Sequence, residues 1–151
     1  ILEAGKYAPS AKGQQSVTMV VLTKREDIAE LSALNAAVMG REDTDPFYGA
    51  PALLIVLSDR QYSTYLYDGS LVMGNMMNAA HALGLGSCWL QLRLRPSNEE
   101  GVSAEEFVNR RLGAPDNQKV EALLVMGHID EAPTAHELPE LPCDKVHAER
   151  W

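Results

Sequence analysis

The sequence predicts one domain in which short strands alternate with helices, on three grounds. Four apolar runs of strand length lie at residues 17–22, 51–57, 87–94 and 120–126. Between them run segments with apolar residues at helical spacing and with start and stop signals. The 151 residues, 46% hydrophobic and 23% charged, suffice for one buried core.

Residues 1–7 have the composition of a helix end, broken by Pro9 and followed by the small polar loop "YAPSAKGQQS" at 7–16. The chain opens on Ile1 inside that helix, so further residues are expected upstream. "VTMVVL" (17–22) is short and β-branched, as a buried strand is. "TKRE" (23–26) predicts a capping box, with Thr23 accepting from the Glu26 amide while Glu26 reaches back. Ile28, Leu31, Leu34 and Val38 form the apolar face of the helix that follows, which Gly40 ends.

Residues 41–50 make an exposed connection with an aromatic end, and "PALLIVL" (51–57), apolar throughout, predicts a strand covered on both faces. The longest helix is expected over 63–83. Leu71, Val72, Met73, Met76, Met77, Ala79, Ala80 and Leu83 wrap much of its circumference, which places it mid-fold or at a subunit contact. Gly84 and Gly86 stop it, and "SCWLQLRL" (87–94) predicts the third strand. Ser103 and Glu106 form a second capping box, ahead of a short helix with Phe107, Val108 and Leu112 inward. "VEALLVM" (120–126) is the fourth strand, ended by Gly127. Past Pro133 the chain is proline-rich and aperiodic, yet it finishes on Trp151, a residue expected to dock on something.

A formal charge of -8 disfavours nucleic acid as a partner. No apolar run reaches the roughly 18 residues that span a bilayer, so no membrane partner is expected. Two cysteines, Cys88 and Cys143, suit a reducing compartment, and the cytoplasm is the expected location. "GLGSCW" (84–89) holds only G-x-G and follows a helix, the wrong order for a dinucleotide fingerprint. His81, His128, His136 and His147 lack ligand spacing, so no metal is expected. Cys88, inside a strand beside Trp89, suits a buried thiol better than a nucleophile.

Two segments remain: "YAPSAKGQ" (7–14) before the first strand and "GSCWLQL" (86–92) on the third. Their small residues would let main-chain groups approach a flat, hydrogen-bonding ring, although on composition each is equally a plain turn.

As literal strings they carry more. "EAGKYAPSAKGQQS" (3–16), "FYGAPALLIVL" (47–57), "LGLGSCWL" (83–90) and "KVHAERW" (145–151) stand in the order of "EAGxxAPSxxNxQPW", "FxGAPALIVV", "LGLGSCW" and "VHxxRW". The sequence thereby resembles the nitroreductase-like family of FMN-dependent oxidoreductases over nearly its whole length. The resemblance implies an α+β fold, a mixed, largely antiparallel sheet flanked by helices. It implies a homodimer in which a core of residues 1–133 is clasped by the partner's domain-swapped arm, residues 134–151, and in which helix 63–83 lies at the dimer core.

The cofactor so implied is FMN, with NAD(P)H as cosubstrate. A nitroaromatic, quinone or similar electron-poor acceptor would be reduced in a ping-pong cycle, and the flavin carries the chemistry, so no catalytic side chain is expected. Pro9, Ser10 and Ala11 resemble the segment that lies along the flavin from the partner subunit. Gly13 stands where the family has Asn; Gln15 keeps the family Gln, and Ser16-Val17 replaces Pro-Trp. Trp89, Leu90, Gln91 and Leu92 match the stretch beside the ring, where a main-chain N–H meets flavin N5. The family's Arg-rich phosphate grip would lie upstream of Ile1. The alternative is a relative that binds flavin or another ligand without nicotinamide turnover.

Overall fold

The computed structural model describes residues 1–131, 133–137 and 145–150. Helix α1 (Leu2–Lys6) leads through a 3₁₀ turn (Ala11–Gly13) into β1 (Val17–Leu22). Then follow α2 (Arg25–Val38), β2 (Ala52–Asp59), α3 (Tyr65–Ala82), β3 (Gly86–Leu90), α4 (Ala104–Leu112) and β4 (Gln118–Gly127). The strands form one sheet in the order β1-β2-β4-β3, every neighbouring pair antiparallel. The α+β architecture expected from the resemblance is present.

β2 and β4 are the inner strands, and their near-continuous apolar sequences are covered on both faces. Leu53, Ile55 and Leu57 of β2 join α2 and α4 in one core, with Ile28, Leu31, Leu34 and Val108. Leu54 and Val56 turn to the opposite face and meet α3 through Val72, Met73 and Met76. This alternation is the two-residue period of a strand, and it makes the molecule three layers, helix–sheet–helix. Met73 and Met76 are fully buried, which stabilises the fold by about 2 kcal/mol each.

The β2–β4 register slips once. Val56 faces Ala122 and Leu57 faces Val120, so Glu121 is the extra residue of a β-bulge. Val120 therefore packs on the α2/α4 side while Ala122 packs on the α3 side. Without the bulge, two residues so spaced would share a face.

Of the residues expected to wrap α3, Val72, Met73, Met76 and Ala80 are buried, whereas Leu71 and Leu83, like Tyr67, are exposed on its outer side. The Ser103 cap forms, its hydroxyl accepting the Glu106 N–H at 3.2 Å. The Thr23 capping box does not. The helix begins one turn position later, with Lys24 as an N-cap that makes no side-chain bond, and Glu26 and Asp27 act on the helix dipole instead. β3 is shorter than its apolar run suggests, ending at Leu90, so Gln91 and Leu92 lie in the following turn. That turn passes through Leu94 at φ 62, a conformation no strand can continue through. Among the described residues no helix is long and apolar enough to cross a membrane. Residues 138–144 of the expected arm, Cys143 among them, and Trp151 lie outside the described residues.

Candidate functional site

The loop between α1 and β1 is built as a rigid main-chain surface. Ser10 Oγ accepts the Gln15 N–H at 2.8 Å, and Gln15 Nε2 donates to the Ala8 carbonyl at 3.3 Å. Gly13 N–H bonds Ser10 O and Gln14 N–H bonds Ala11 O, closing the 3₁₀ turn. Three residues take left-handed backbone conformations, Lys12 (φ 53), Gly13 (φ 67) and Gln15 (φ 50). Such angles at two non-glycine residues persist only where surrounding bonds over-determine them. Around Gly13 there is open space: a Cβ added there would meet nothing within 4 Å.

The loop is fixed from behind by Asp68, in the first turn of α3 and 2% exposed. Its Oδ1 accepts the Ala11 N–H at 3.0 Å. Its Oδ2 accepts the hydroxyls of Ser16 at 3.2 Å and Thr64 at 3.1 Å. Asp68 and Thr64 belong to no motif in the sequence, and Ser16 stands out there only as a departure from the family string. An acid in the first turn of an otherwise apolar helix was the available signal. Gly5, Ala8, Pro9, Ser10, Gln15 and Asp68 line a cavity of about 100 Å³ here.

The second segment leaves the other end of the sheet order. Leu90 is 8% exposed and Leu92 fully buried, both packed in the α2/α4 core, so each can meet a ligand only through its main chain. Trp89 packs on the α3 side, and its Nε1 donates to Gln91 Oε1 at 3.1 Å, which holds the exposed Gln91 side chain at the edge of the indole. β3 is an edge strand, and alternate residues of an edge direct N–H and C=O away from the sheet. Cys88 has no activated thiol: burial pushes it up, with a smaller opposing effect from the Tyr48 hydroxyl.

One chain does not bring the two segments together. Val17 opens β1 at one edge, Leu90 closes β3 at the other, and two strands intervene. Three interstrand spacings put them about 14 Å apart across the sheet. The cavity at Pro9 and Ser10 includes no residue of 89–92, and its 100 Å³ falls short of the roughly 300–1,000 Å³ of a small-molecule site. Both segments do leave the sheet toward the same end, the row of Val17, Ser58 and Lys119.

An antiparallel sheet covered by helices on both faces, with residues 9–15 and 89–92 at one end of it, defines an α+β domain. The family model for the nitroreductase family matches residues 1–128, and the chain belongs to that family. An Archaeoglobus fulgidus protein provisionally named NADH dehydrogenase/NAD(P)H nitroreductase is 30% identical over 157 aligned positions, spanning 100% of this chain and 83% of that protein. An FMN-dependent nitroreductase from Clostridium difficile R20291 superposes with a TM-score of 0.86 at 28% identity, covering 99% of this chain and 84% of that one. A Bacteroides fragilis nitroreductase with bound FMN shares the fold at a TM-score of 0.78 and 24% identity, over 99% of this chain and 84% of its own.

Proposed function

We propose that the protein is an FMN-dependent NAD(P)H oxidoreductase acting as a homodimer, each flavin held between residues 9–15 of one copy and 89–92 of the other. The observation that carries this reading is the separation of two preformed main-chain surfaces, each too small to enclose a ligand within its own chain. A second copy supplies the missing wall. The names of the Archaeoglobus and Clostridium relatives support the same chemistry.

The residues present fit such a group. Pro9, Ala11 and Gly13 offer a low surface with free space above Gly13, which a planar ring requires. Ser10 and Gln15 are spent on each other and keep that surface fixed. Trp89, Leu90, Gln91 and Leu92 offer main-chain donors and acceptors, because the Leu90 and Leu92 side chains are anchored in the core. Bound FMN supplies the redox step, passing hydride from NAD(P)H to a nitroaromatic, quinone or similar electron-poor acceptor in a ping-pong cycle. The protein's part is position, main-chain hydrogen bonding and exclusion of water. Residues 134–151 form the arm that clasps the partner, around the core of residues 1–133. The cytoplasm is the proposed setting, on the ground of two cysteines in 151 residues.

Size-exclusion chromatography with light scattering, an FMN titration and NAD(P)H oxidation test this together. The expected result is a yellow dimer with one flavin per chain that oxidises NAD(P)H when an acceptor is added. Leu71→Arg, on the exposed side of α3, should give monomers that release flavin. A colourless monomer that takes up no FMN and leaves NAD(P)H untouched with every acceptor overturns the reading. Gly13 and Val17, where the family string has Asn and Trp, favour one alternative, flavin binding without nicotinamide turnover. NAD(P)H oxidation by the loaded dimer excludes it.

A further inference from the structure

We infer that Asp68 is a positioning residue for the cofactor: from the first turn of α3 it locks the 8–16 loop in the shape that receives a flavin face. This rests on the proposed function for the identity of the ligand. For the loop itself it rests on geometry alone. The carboxylate gathers donors from three places in the chain, the Ala11 N–H in the 3₁₀ turn, Ser16 ahead of β1 and Thr64 ahead of α3. Asp68 is 2% exposed and Ser16 8%, so a donor lost from this group is poorly replaced by bulk solvent.

The consequence for the loop follows from what its other bonds can do. The Ser10–Gln15 bonds and the 3₁₀ turn are all local, within seven residues of one another. They set the loop's internal shape but not its placement on the domain. Placement comes from Ala8 buried against α3, the Asp59 N–H on Ser16 O, and Asp68. Among the described residues the Asp68 carboxylate alone holds the 3₁₀ turn, reaching across 57 positions to Ala11 and 52 to Ser16. Ala11 is held by its N–H, with Pro9 exposed and Ala11 half-buried on the loop so placed. A flavin arriving at a loop already in place loses less conformational freedom than one that must order the loop on arrival.

The test compares Asp68→Ala and Asp68→Asn with the wild type on two readouts. One is amide hydrogen exchange at Ala11 in flavin-free protein; the other is the FMN dissociation constant by fluorescence titration. Loss of a buried charged acceptor is worth about a factor of ten or more in such equilibria. Asp68→Ala should therefore lose Ala11 protection and bind FMN about tenfold more weakly. Asp68→Asn keeps an oxygen for the Ala11 N–H and should recover both to within about threefold. A folded Asp68→Ala protein with wild-type Ala11 protection and FMN affinity overturns the inference, whatever its melting temperature. If Asp68→Ala does not fold, Ser16→Ala combined with Thr64→Val removes both hydroxyl donors and is read in the same way. An unchanged FMN affinity there is equally fatal. If the wild type itself binds no FMN, the proposed function fails, and the Ala11 exchange difference alone then decides whether Asp68 holds the loop.

Discussion

Replacing Glu121 with glutamine should flatten the pH dependence of stability between pH 5 and 8. Glu121 is the bulge residue of β4, 6% exposed, aimed at α3. Ser70 Oγ donates to its Oε1 at a long 3.4 Å, while Oε2 is buried with no partner among the described residues. Burial raises its carboxyl from an ordinary 4.5 to about 7; the Arg93 charge and the Ser70 bond oppose this, and Glu105 adds to it. The folded chain thus holds this proton where the unfolded chain has released it. The resulting stabilisation is fully present below about pH 4.5 and is lost as pH rises through about 7. At 1.36 kcal/mol per pH unit the loss is at most about 3 kcal/mol, and about 2–3 kcal/mol falls between pH 5 and 8. Urea denaturation at several pH values gives both curves, and their difference removes every other titrating group. The variant should gain on the wild type steadily from pH 5 to about 7 and then hold its lead. Parallel curves, with a difference constant to about 0.5 kcal/mol, would refute the reasoning.

Gly69→Ala should destabilise by about 1–3 kcal/mol in thermal melts, since its Cβ would stand 2.6 Å from Ser58 Oγ and 3.1 Å from Glu121 Cγ. Ser103→Ala should lose about 1 kcal/mol in urea, having given up the one bond that caps α4. Asp45 accepts from Ser32 Oγ at 2.5 Å, Phe47 N–H at 2.9 Å and Gly49 N–H at 2.7 Å, and the Ser32 bond leads in holding its carboxyl below the usual 3.8. That stabilisation is present above pH 3.8 and lost as pH falls, so the deficit of Asp45→Asn should be largest at neutral pH and shrink in acid denaturation below about pH 4.

The strands and helix faces were legible because burial imposes a period, two for a strand and 3.6 for a helix, and each period is written in neighbouring residues. The apolar run of β2 announced cover on both faces, and the Ser103 cap formed as spaced, its hydroxyl on the Glu106 N–H. The Thr23 box was legible and wrong, because a capping signal competes with the path by which the chain leaves β1, and the first turn already carried Glu26 and Asp27. The end of β3 was misjudged because Leu92 is as buried as a strand residue while its backbone has already turned. Asp68 and Glu121 escaped for a shared reason. Apart from Thr64, the hydrogen-bond partners of each lie about 50 or more positions away, on elements whose contact only the folded chain decides. In "VEALLVM" a lone carboxylate inside a covered strand was the visible clue to the second.

β3 has five residues and borders the sheet, with no strand hydrogen-bonded beyond it among the described residues. An open border is a template for a stray strand from another newly made chain, read through the row of amides and carbonyls that the proposed flavin would cover. On the proposed function, vitamin supply during growth then governs yield as well as colour. Cells starved of flavin should deposit this protein in insoluble bodies, while well-fed ones keep it dispersed.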